Sequence, residues 1–359
     1  MEIIIMETIL ENDVMSDRNI LQDIDWDNLD FSLHPTRSMY VAKCKEGGEW
    51  QTGKLVSYGD IKISPAAGVL NYGQGVFEGI KAFRSSRDRI IFFRLDMNAG
   101  RFYRSCKRLC IPPIHVDMFM KAIEEVVQDN MDYIPPMGKG SLYIRPVAWG
   151  TGPVLGVKPA PSYTFLIFVS PVGPYFKGGI KSLTLKVTNK FHRAAPKGIG
   201  NSKAIGNYSA SLYPRQLAQE RGFDEVIYLN PVNENLIEEV GSANLFALKG
   251  NVLKTPRLTG SILPGVTRDS VIKIARDIFE IDVQESDLTL DEILNADEVF
   301  CTGTAVVVTP IGKICTDNSE HEINKGKMGS ITNKLRNIIL NIQSESENDD
   351  FGWITALDV

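Results

Sequence analysis

One lysine stands where the chain could offer it to chemistry: Lys203, inside Gly198 to Ser211, which reads GIGNSKAIGNYSAS. Gly198, Gly200 and Gly206 flank it, and glycines permit tight, positive-φ geometry that lets a bulky group come close. A lysine that condenses with an aldehyde needs that room, because its nitrogen must reach the carbonyl carbon and later swing away. Tyr208, a little further along the chain, could set a phenol beside the same group. Alone, a lysine among glycines reads as a loop lysine. Four other segments give it weight.

Arg101 sits in MNAGRFYRSCKRL, where Phe102, Cys106 and Leu109 recur at helical spacing, so an amphipathic helix is expected. LIEEVGSANLF (236–246) begins with two acids and a Gly-Ser turn, then enters a strand at Asn244–Lys249. SILPGVTRDSVIKIARDIF (261–279) is a loop through Pro264-Gly265 that opens a helix with Val271, Ile274, Ala275 and Ile278 on one face. Its first N–H groups, near Val266 and Thr267, have no partner within the helix and sit at the positive end of its dipole, which suits an anion. EVFCTGTAVVVTP (298–310) is an apolar strand broken by Thr302-Gly303-Thr304-Ala305, a turn with free N–H groups and two hydroxyls.

The order K-A-I-G-N-Y, E-E-V-G-S-A-N, L-P-G-V-T-R and G-T-A resembles the class IV aminotransferases, and among them the branched-chain amino acid aminotransferases. SPAAGVLNYGQGVFEGIKAFR (64–84), GKGSLYIRP (138–146) and FLIFVSPVGPYFKGG (165–179) resemble the same enzymes, so the likeness runs from about Asp30 to Trp353. It implies pyridoxal 5'-phosphate as cofactor and a fold-type IV architecture: α+β, with a small α/β domain, a larger pseudo-barrel domain and the cofactor between them. It also implies a homodimer in which the partner subunit walls part of each site. The implied reaction is reversible transamination between L-leucine, L-isoleucine or L-valine and 2-oxoglutarate, giving branched-chain 2-oxo acids and L-glutamate.

The resemblance further implies roles for individual residues. Lys203 holds the cofactor covalently and serves as the acid–base. Glu239 faces the pyridine nitrogen and keeps it protonated, which makes the ring an electron sink. Glu238 is the neighbouring rival; the spacing to Gly241 favours Glu239 and leaves Glu238 on a solvated face. Tyr208 bonds the ring hydroxyl, and Ser242 joins the cofactor set. The phosphate meets Arg101, the N–H groups at Val266 and Thr267, and the hydroxyls of Thr267 and Thr304. Read without the resemblance, Arg101 is one of several cations on a helix surface.

For the substrate, the resemblance implies a pocket of Phe31, Tyr72, Phe77, Tyr143, Val157 and Tyr175, with the α-carboxylate on the Thr304-Ala305 turn. Such a wall suits branched apolar side chains, at about 0.8 kcal/mol per buried methylene. Arg145 shares a strand face with Tyr143 and either orients it or receives the side-chain carboxylate of glutamate. Lys81 has no assigned chemistry. D-Amino acid or amine transaminases and aminodeoxychorismate lyases are the competing readings; the Tyr143/Arg145 pair and the G-T-A turn favour the branched-chain form. The sequence departs from the mammalian pattern after that turn, where Val306–Thr309 stands in place of C-x-x-C.

Composition narrows the alternatives. The chain has 359 residues, 43% hydrophobic and 23% charged, enough for two domains. A net charge of −5 with no basic run gives no footprint for nucleic acid. Five cysteines and four scattered histidines lack metal-ligand spacing, so no metal site is expected. The acid-rich start MEIIIMETILENDVMSDRN differs from a basic, Ser-rich transit peptide, and no apolar run spans a membrane, so a cytoplasmic location is expected.

The expected organisation is a flexible lead at 1–25, a small α/β domain at 26–172, an interdomain loop at 173–180 and a large domain at 181–359. Helices are expected at 96–109, 116–130 and 290–296, the last with a Thr289/Glu292 capping box. A C-terminal helix carries Leu335, Ile338, Ile339 and Ile342, followed by a mobile SESENDD loop. Gly250-Asn251 marks a hairpin.

Overall fold

The computed structural model describes residues 24–173 and 180–357. The N-terminal lead, most of the 173–180 connector including Tyr175, and the last two residues lie outside the described residues.

Two sheets form the frame. The first begins with β1 (Ser38–Lys45), β2 (Lys54–Ser57), β3 (Gly75–Phe77) and β4 (Ile80–Arg84). It continues with β5 (Ile90–Phe93), β6 (Ser141–Gly150) and β7 (Ser162–Val172). The second holds β8 (Leu183–Thr188), β9 (Glu225–Leu229), β10 (Ile237–Val240), β11 (Ala243–Lys249) and β12 (Val252–Pro256). It is completed by β13 (Asp282–Ser286), β14 (Glu298–Gly303), β15 (Val307–Cys315) and β16 (Glu320–Glu322). The last strand, β17 (Ile354–Ala356), returns to the first sheet beside β5.

In the first sheet the order is β17-β5-β4-β6-β7-β1-β2, with β3 also on β6. In the second it is β10-β9-β8-β15-β14-β11-β12-β13. Because β10 also pairs with β11, the strands from β10 round to β11 close into a ring. Closure pairs β10 on both sides, while β12 and β13 continue from β11 outside the ring. This is the barrel-like half of an α+β, fold-type IV architecture.

Among the described residues, eight α-helices position the rest: α1 (Gly68–Tyr72), α2 (Leu95–Arg108), α3 (Val116–Asp129), α4 (Ile205–Ser209), α5 (Leu212–Gln219), α6 (Val266–Asp277), α7 (Leu290–Leu294) and α8 (Ser330–Ser344). Both α2 and α3 fall within a residue of the limits their apolar spacing predicts. Helix α2 buries Leu95, Ala99, Phe102 and Cys106 along one stripe, and Arg101 and Ser105 turn inward beside it. At α7 the capping box is present, with the Thr289 hydroxyl accepting from Glu292 N–H and the Glu292 carboxylate accepting from Thr289 N–H. Helix α8 buries Leu335, Ile339 and Ile342; the Glu298 carboxylate accepts from the N–H groups of Ile331 and Thr332 at 3.0 and 2.8 Å.

Two local expectations are corrected. On α6, Val271, Ile274 and Ala275 are buried with Ile272, but Ile278 is 46% exposed, because it caps the helix where the chain turns away. The SESENDD stretch is anchored through Glu345, which is buried against Arg89 and Arg87. Hydrogen bonding from Arg89 pulls that carboxyl down to about 2.

The core of the first half centres on Phe165, whose ring lies 5.6–6.1 Å from those of Tyr40, Trp50, Phe102 and Phe119. In the barrel half, Phe246 and Phe300 stack at 5.1 Å, and Phe93 and Trp353 from the first sheet join their cluster. Phe165→Ala is expected to cost about 3–5 kcal/mol through lost burial and a residual cavity. A fall in the urea concentration at half-unfolding checks this.

Candidate active site

The position of Lys203 is fixed through its backbone. Its N–H donates to the Ser105 hydroxyl on α2 at 3.0 Å, and its carbonyl accepts from Phe77 N–H on β3 at 3.0 Å. Ala204 forms a bridge with Val76, after which the chain enters α4. Asn207 closes the bend by donating to the carbonyls of Ile199 and Ser202. The three glycines act differently from the expectation: none of Gly198, Gly200 and Gly206 has positive φ, whereas Lys197 does, at 59°. Gly200 matters through proximity, since a Cβ there would run into the Ser261 carbonyl.

From this platform Nζ of Lys203 sits 3.2 Å from Oη of Tyr208 and 4.8 Å from the Phe77 ring centre. The Phe77 and Tyr208 rings meet edge to face at 4.6 Å. The amine therefore has an apolar wall on one side and a phenol on the other.

Glu239, on β10, is buried at 2% exposure. Its carboxylate accepts from Nε of Arg193 at 2.7 Å, from Nδ2 of Asn244 at 2.7 Å and from Leu263 N–H at 3.4 Å. Burial pushes its carboxyl up to about 7; Arg193, Leu263 N–H and the charge of Lys203 pull against that rise, and Glu238 adds to it. Glu238 is not on the solvated face that the spacing suggests. The barrel encloses β10 on both sides, and Glu238 is 1% exposed, bonded by Asn230 and Ser261.

Arg101 is likewise interior, at 4% exposure, so its reading as a surface cation fails. The reason is Glu78, which takes the guanidinium in a two-point grip: Nε to Oε1 at 2.7 Å and Nη2 to Oε2 at 2.9 Å. Burial pushes the Glu78 carboxyl up, but Arg101, Lys203 and Asn98 together hold it below its ordinary range. The remaining nitrogen of Arg101 reaches the Pro264 carbonyl at 3.0 Å, just ahead of α6. The cation thus stands by the N-terminus of α6, where Val266 and Thr267 are both buried.

A cavity of about 780 Å³ opens in front of these groups. It is lined by nine of the expected residues: Phe31, Phe77, Tyr143, Arg145, Lys203, Tyr208, Ser242, Thr304 and Ala305. Arg101, Glu239, Val266 and Thr267 are not part of its wall. Two expected pocket residues lie elsewhere. Tyr72 is 41% and Val157 87% exposed, because α1 and the loop after β6 form an outer shelf on which the Tyr72 hydroxyl donates to the Leu155 carbonyl.

Several wall residues escape the sequence reading. Tyr143, Arg145, Val147 and Trp149 alternate along β6 and all face the cavity, so extending the two-residue period would have found the last two. Phe168, opposite Arg145 on β7, follows from that register. Ile61 and Ile63 come from an irregular segment with no signal in its spacing. Glu78, Arg193 and Asn244 are visible only as polar residues in quoted or neighbouring segments; nothing local says that they are buried. For Arg145, Nη2 bonds Oη of Tyr143 at 3.1 Å and the guanidinium lies 5.0 Å from the Phe77 ring centre. It orients Tyr143 and also faces the cavity, so both of its expected roles remain open.

The far wall is the turn between β14 and β15. None of the N–H groups of Thr304, Ala305 and Val306 donates to an acceptor among the described residues. Val307 closes the turn at φ 57°, a left-handed conformation that costs a β-branched residue on the order of 1–3 kcal/mol. Three carbonyls around the turn are held by side chains. Lys81 Nζ reaches Ala305 O at 3.4 Å, Arg336 Nη1 reaches Val306 O and Val308 O at 3.2 and 2.8 Å, and the Thr309 hydroxyl donates to Val306 O. Among the described residues, no group of three or more His, Cys, Asp or Glu is placed to hold a metal ion, and no helix is long and apolar enough to cross a membrane.

A reactive amine, a phenol beside it, a buried carboxylate held by an arginine, and a cation at a helix N-terminus make the donor set of an enzyme that works on an aldehyde cofactor carrying a ring nitrogen and a phosphate. Residues 75–314 match the family model for amino-transferase class IV, and the chain belongs to that family. Enzymes of this class use pyridoxal phosphate, and the residues present fit it. The chain is 47% identical over 337 residues to a chloroplastic branched-chain-amino-acid aminotransferase of Arabidopsis thaliana, covering 94% of this chain and 81% of the relative. It is 45% identical over 336 residues to a mitochondrial branched-chain amino acid aminotransferase of Humulus lupulus, covering 94% and 85%. The crystal structure of the branched-chain aminotransferase from the archaeon Thermoproteus uzoniensis with norvaline superposes with a TM-score of 0.75 at 32% identity, covering 89% of this chain and 100% of that one.

These relatives overturn the cytoplasmic expectation, since they include chloroplastic and mitochondrial proteins. The expectation rested on an acidic N-terminal composition, which the relatedness of the remaining chain outweighs.

Glu239 gives a pH signature. Below about pH 4.5 both folded and unfolded chains hold its proton; between there and about 7 only the folded chain does. The unfolded state therefore binds fewer protons across that window, and this group's contribution to stability falls as pH rises. Melting temperatures of cofactor-free protein from about pH 5 to pH 7 should show that loss, relative to the flatter Glu239→Gln variant.

Proposed function

We propose that Lys203 is the acid–base of this site, that Tyr208 and Glu239 hold the two edges of the cofactor ring, and that the Thr304–Val306 turn receives the substrate carboxylate. The reaction is transamination between L-leucine, L-isoleucine or L-valine and 2-oxoglutarate, giving 2-oxo acids and L-glutamate; the chain is a branched-chain-amino-acid transaminase. Pyridoxal phosphate, when bound, supplies the carbonyl that accepts the amino group and a ring that withdraws electrons from the substrate Cα. The single observation that carries the site reading is the Lys203 amine, 3.2 Å from the Tyr208 hydroxyl, in a cavity with aromatic and aliphatic walls and, opposite, backbone N–H groups that meet no acceptor among the described residues.

The chain's own residues divide the work. Lys203 would take the proton from the substrate Cα, and its backbone anchors to Ser105 and Phe77 keep that stroke short. Glu239, fixed by Arg193 and Asn244, offers a buried carboxylate to a protonated ring nitrogen. Arg101 and the opening N–H groups of α6 supply positive potential for a phosphate, with Ser242, Thr267 and Thr304 as hydroxyl partners. Phe31, Phe77, Val147, Trp149 and Phe168 exclude water and favour branched apolar side chains. Arg145 offers a cation for the second carboxylate of glutamate or 2-oxoglutarate.

The connector at 173–180 is assigned as the boundary between the small domain, 26–172, and the large domain, 181–359, whose final strand β17 crosses back to pair with β5 of the first sheet. A homodimer is the proposed assembly. Leu70, Tyr72, Leu155 and Val157 are 60%, 41%, 92% and 87% exposed, an apolar shelf beside the cavity that suits coverage by a second copy. The relatives' compartments support placement in an organelle.

Lys203→Ala should abolish the visible absorption of the reconstituted holoenzyme and reduce turnover of L-leucine by on the order of 10³-fold or more. If wild-type holoenzyme given L-leucine without a keto acid releases no 2-oxo acid, the reading fails. Leu155→Glu should shift the sedimentation coefficient from dimer to monomer; an unchanged coefficient, or a monomeric wild type, removes the dimer.

A further inference from the structure

We propose that Arg336, on the C-terminal helix α8, is a positioning residue for the substrate's α-carboxylate: it holds the 304–308 backbone in its receiving shape and lends that backbone a positive charge. The inference deepens the reading that this turn receives the carboxylate, and rests on it.

The geometry has three parts. First, one nitrogen of Arg336 bonds both Val306 O and Val308 O, the carbonyls on either side of Val307, whose φ is 57°. A left-handed β-branched residue persists only where its surroundings over-determine it, and a single guanidinium nitrogen clamps this one from both sides. Second, Lys81 takes the preceding carbonyl, Ala305 O. In a trans peptide the N–H points away from the C=O of the same unit, so anchoring Ala305 O outward turns Val306 N–H inward. Ala305 and Val306 both line the cavity.

Third, the charges behind the turn have no counter-ion among the described residues. Neither Arg336 nor Lys81 makes an ion pair with a carboxylate among the described residues, and Nε of Arg336 is buried without a hydrogen-bond partner. This contrasts with Arg94, Arg101, Arg193 and Arg268, each of which is buried against an acid. Burial draws the guanidinium of Arg336 down, and burial together with the nearby Arg336 draws the Lys81 ammonium down to about 8. Two cations gathered behind a turn whose N–H groups meet no acceptor among the described residues are relieved by an anion seated on its other face. The substrate carboxylate is an anion that every amino acid and 2-oxo acid in the reaction carries. Arg145 stands apart from them: it lines the cavity, bonded to Tyr143 and set over the Phe77 ring.

The test uses the pyridoxal-phosphate holoenzyme and two unreactive ligands of one shape, 4-methylpentanoate and the neutral 4-methylpentanamide. Binding is followed by calorimetry and by the visible absorption band. Wild type should prefer the carboxylate. In Arg336→Gln, which keeps a hydrogen bond but no charge, carboxylate affinity should fall about tenfold or more while amide affinity stays within about twofold. KM for L-leucine and for 2-oxoglutarate should both rise with kcat largely retained. Arg336→Lys should keep the preference within about threefold of wild type, and it decides the matter if the Gln variant does not fold.

An equal loss for both ligands would show a merely structural arginine and overturn the proposal, as would an unchanged preference in Arg336→Gln or a preference lost in Arg336→Lys. A wild type that does not distinguish the two ligands would sink the turn's role itself, and this inference with it.

Discussion

Everything at this site depends on two hydrogen bonds that join the halves of the chain at one residue. Lys203 is carried by the barrel half, yet its N–H is held by Ser105 of α2 and its carbonyl by Phe77 of β3, both from the first half. A side chain that must carry protons within a fraction of an ångström cannot hang from a free loop. Here the lysine's backbone is a rung between the barrel half and the first half, so its reach is set by how the two pack. The same rung brings Phe77 and Tyr208 into edge contact and closes the cavity floor.

Around that floor the buried charges are arranged by sign. Two buried acids are each held by an arginine: Glu78 by Arg101, and Glu239 by Arg193. Each pair is completed by neutral donors, Asn98 in the first and Asn244 in the second, which satisfy the remaining oxygen lone pairs. A buried pair left half-satisfied would be a liability; one fully bonded fixes orientation. Behind the Thr304–Val306 turn the pattern reverses, and Lys81 and Arg336 face backbone carbonyls in place of carboxylates. The cavity therefore runs from a closed, paired end to an open, positively biased end. That polarity suits substrates whose one invariant group is an anion.

How far the site can be read in the sequence depends on the kind of signal. Local periodicity serves well: α2, α3 and the α7 capping box lie where spacing puts them, and the two-residue period of β6 already carries the Tyr143 and Arg145 face. It fails where burial depends on what packs from elsewhere. Glu238 and Glu239 alternate as a half-exposed strand should, but ring closure by the β10–β11 pairing buries both. Ile278 continues the apolar stripe of α6 and is exposed because the helix ends there. Gly200 suggests unusual φ in the sequence, and its actual use is to admit the Ser261 backbone.

By itself, then, the sequence marked Lys203, Tyr208, Glu239 and the opening of α6 as candidates and, through the resemblance, the class of reaction, because each lies in a short contiguous motif. Only the tertiary structure decided which charges meet. Glu78 and Arg101, Arg193 and Glu239, and Arg336 and the 306–308 carbonyls are separated by tens of residues, and no spacing rule links them. Their pairing is a consequence of burial, since a charge inside the fold must find its partner wherever the packing brings one.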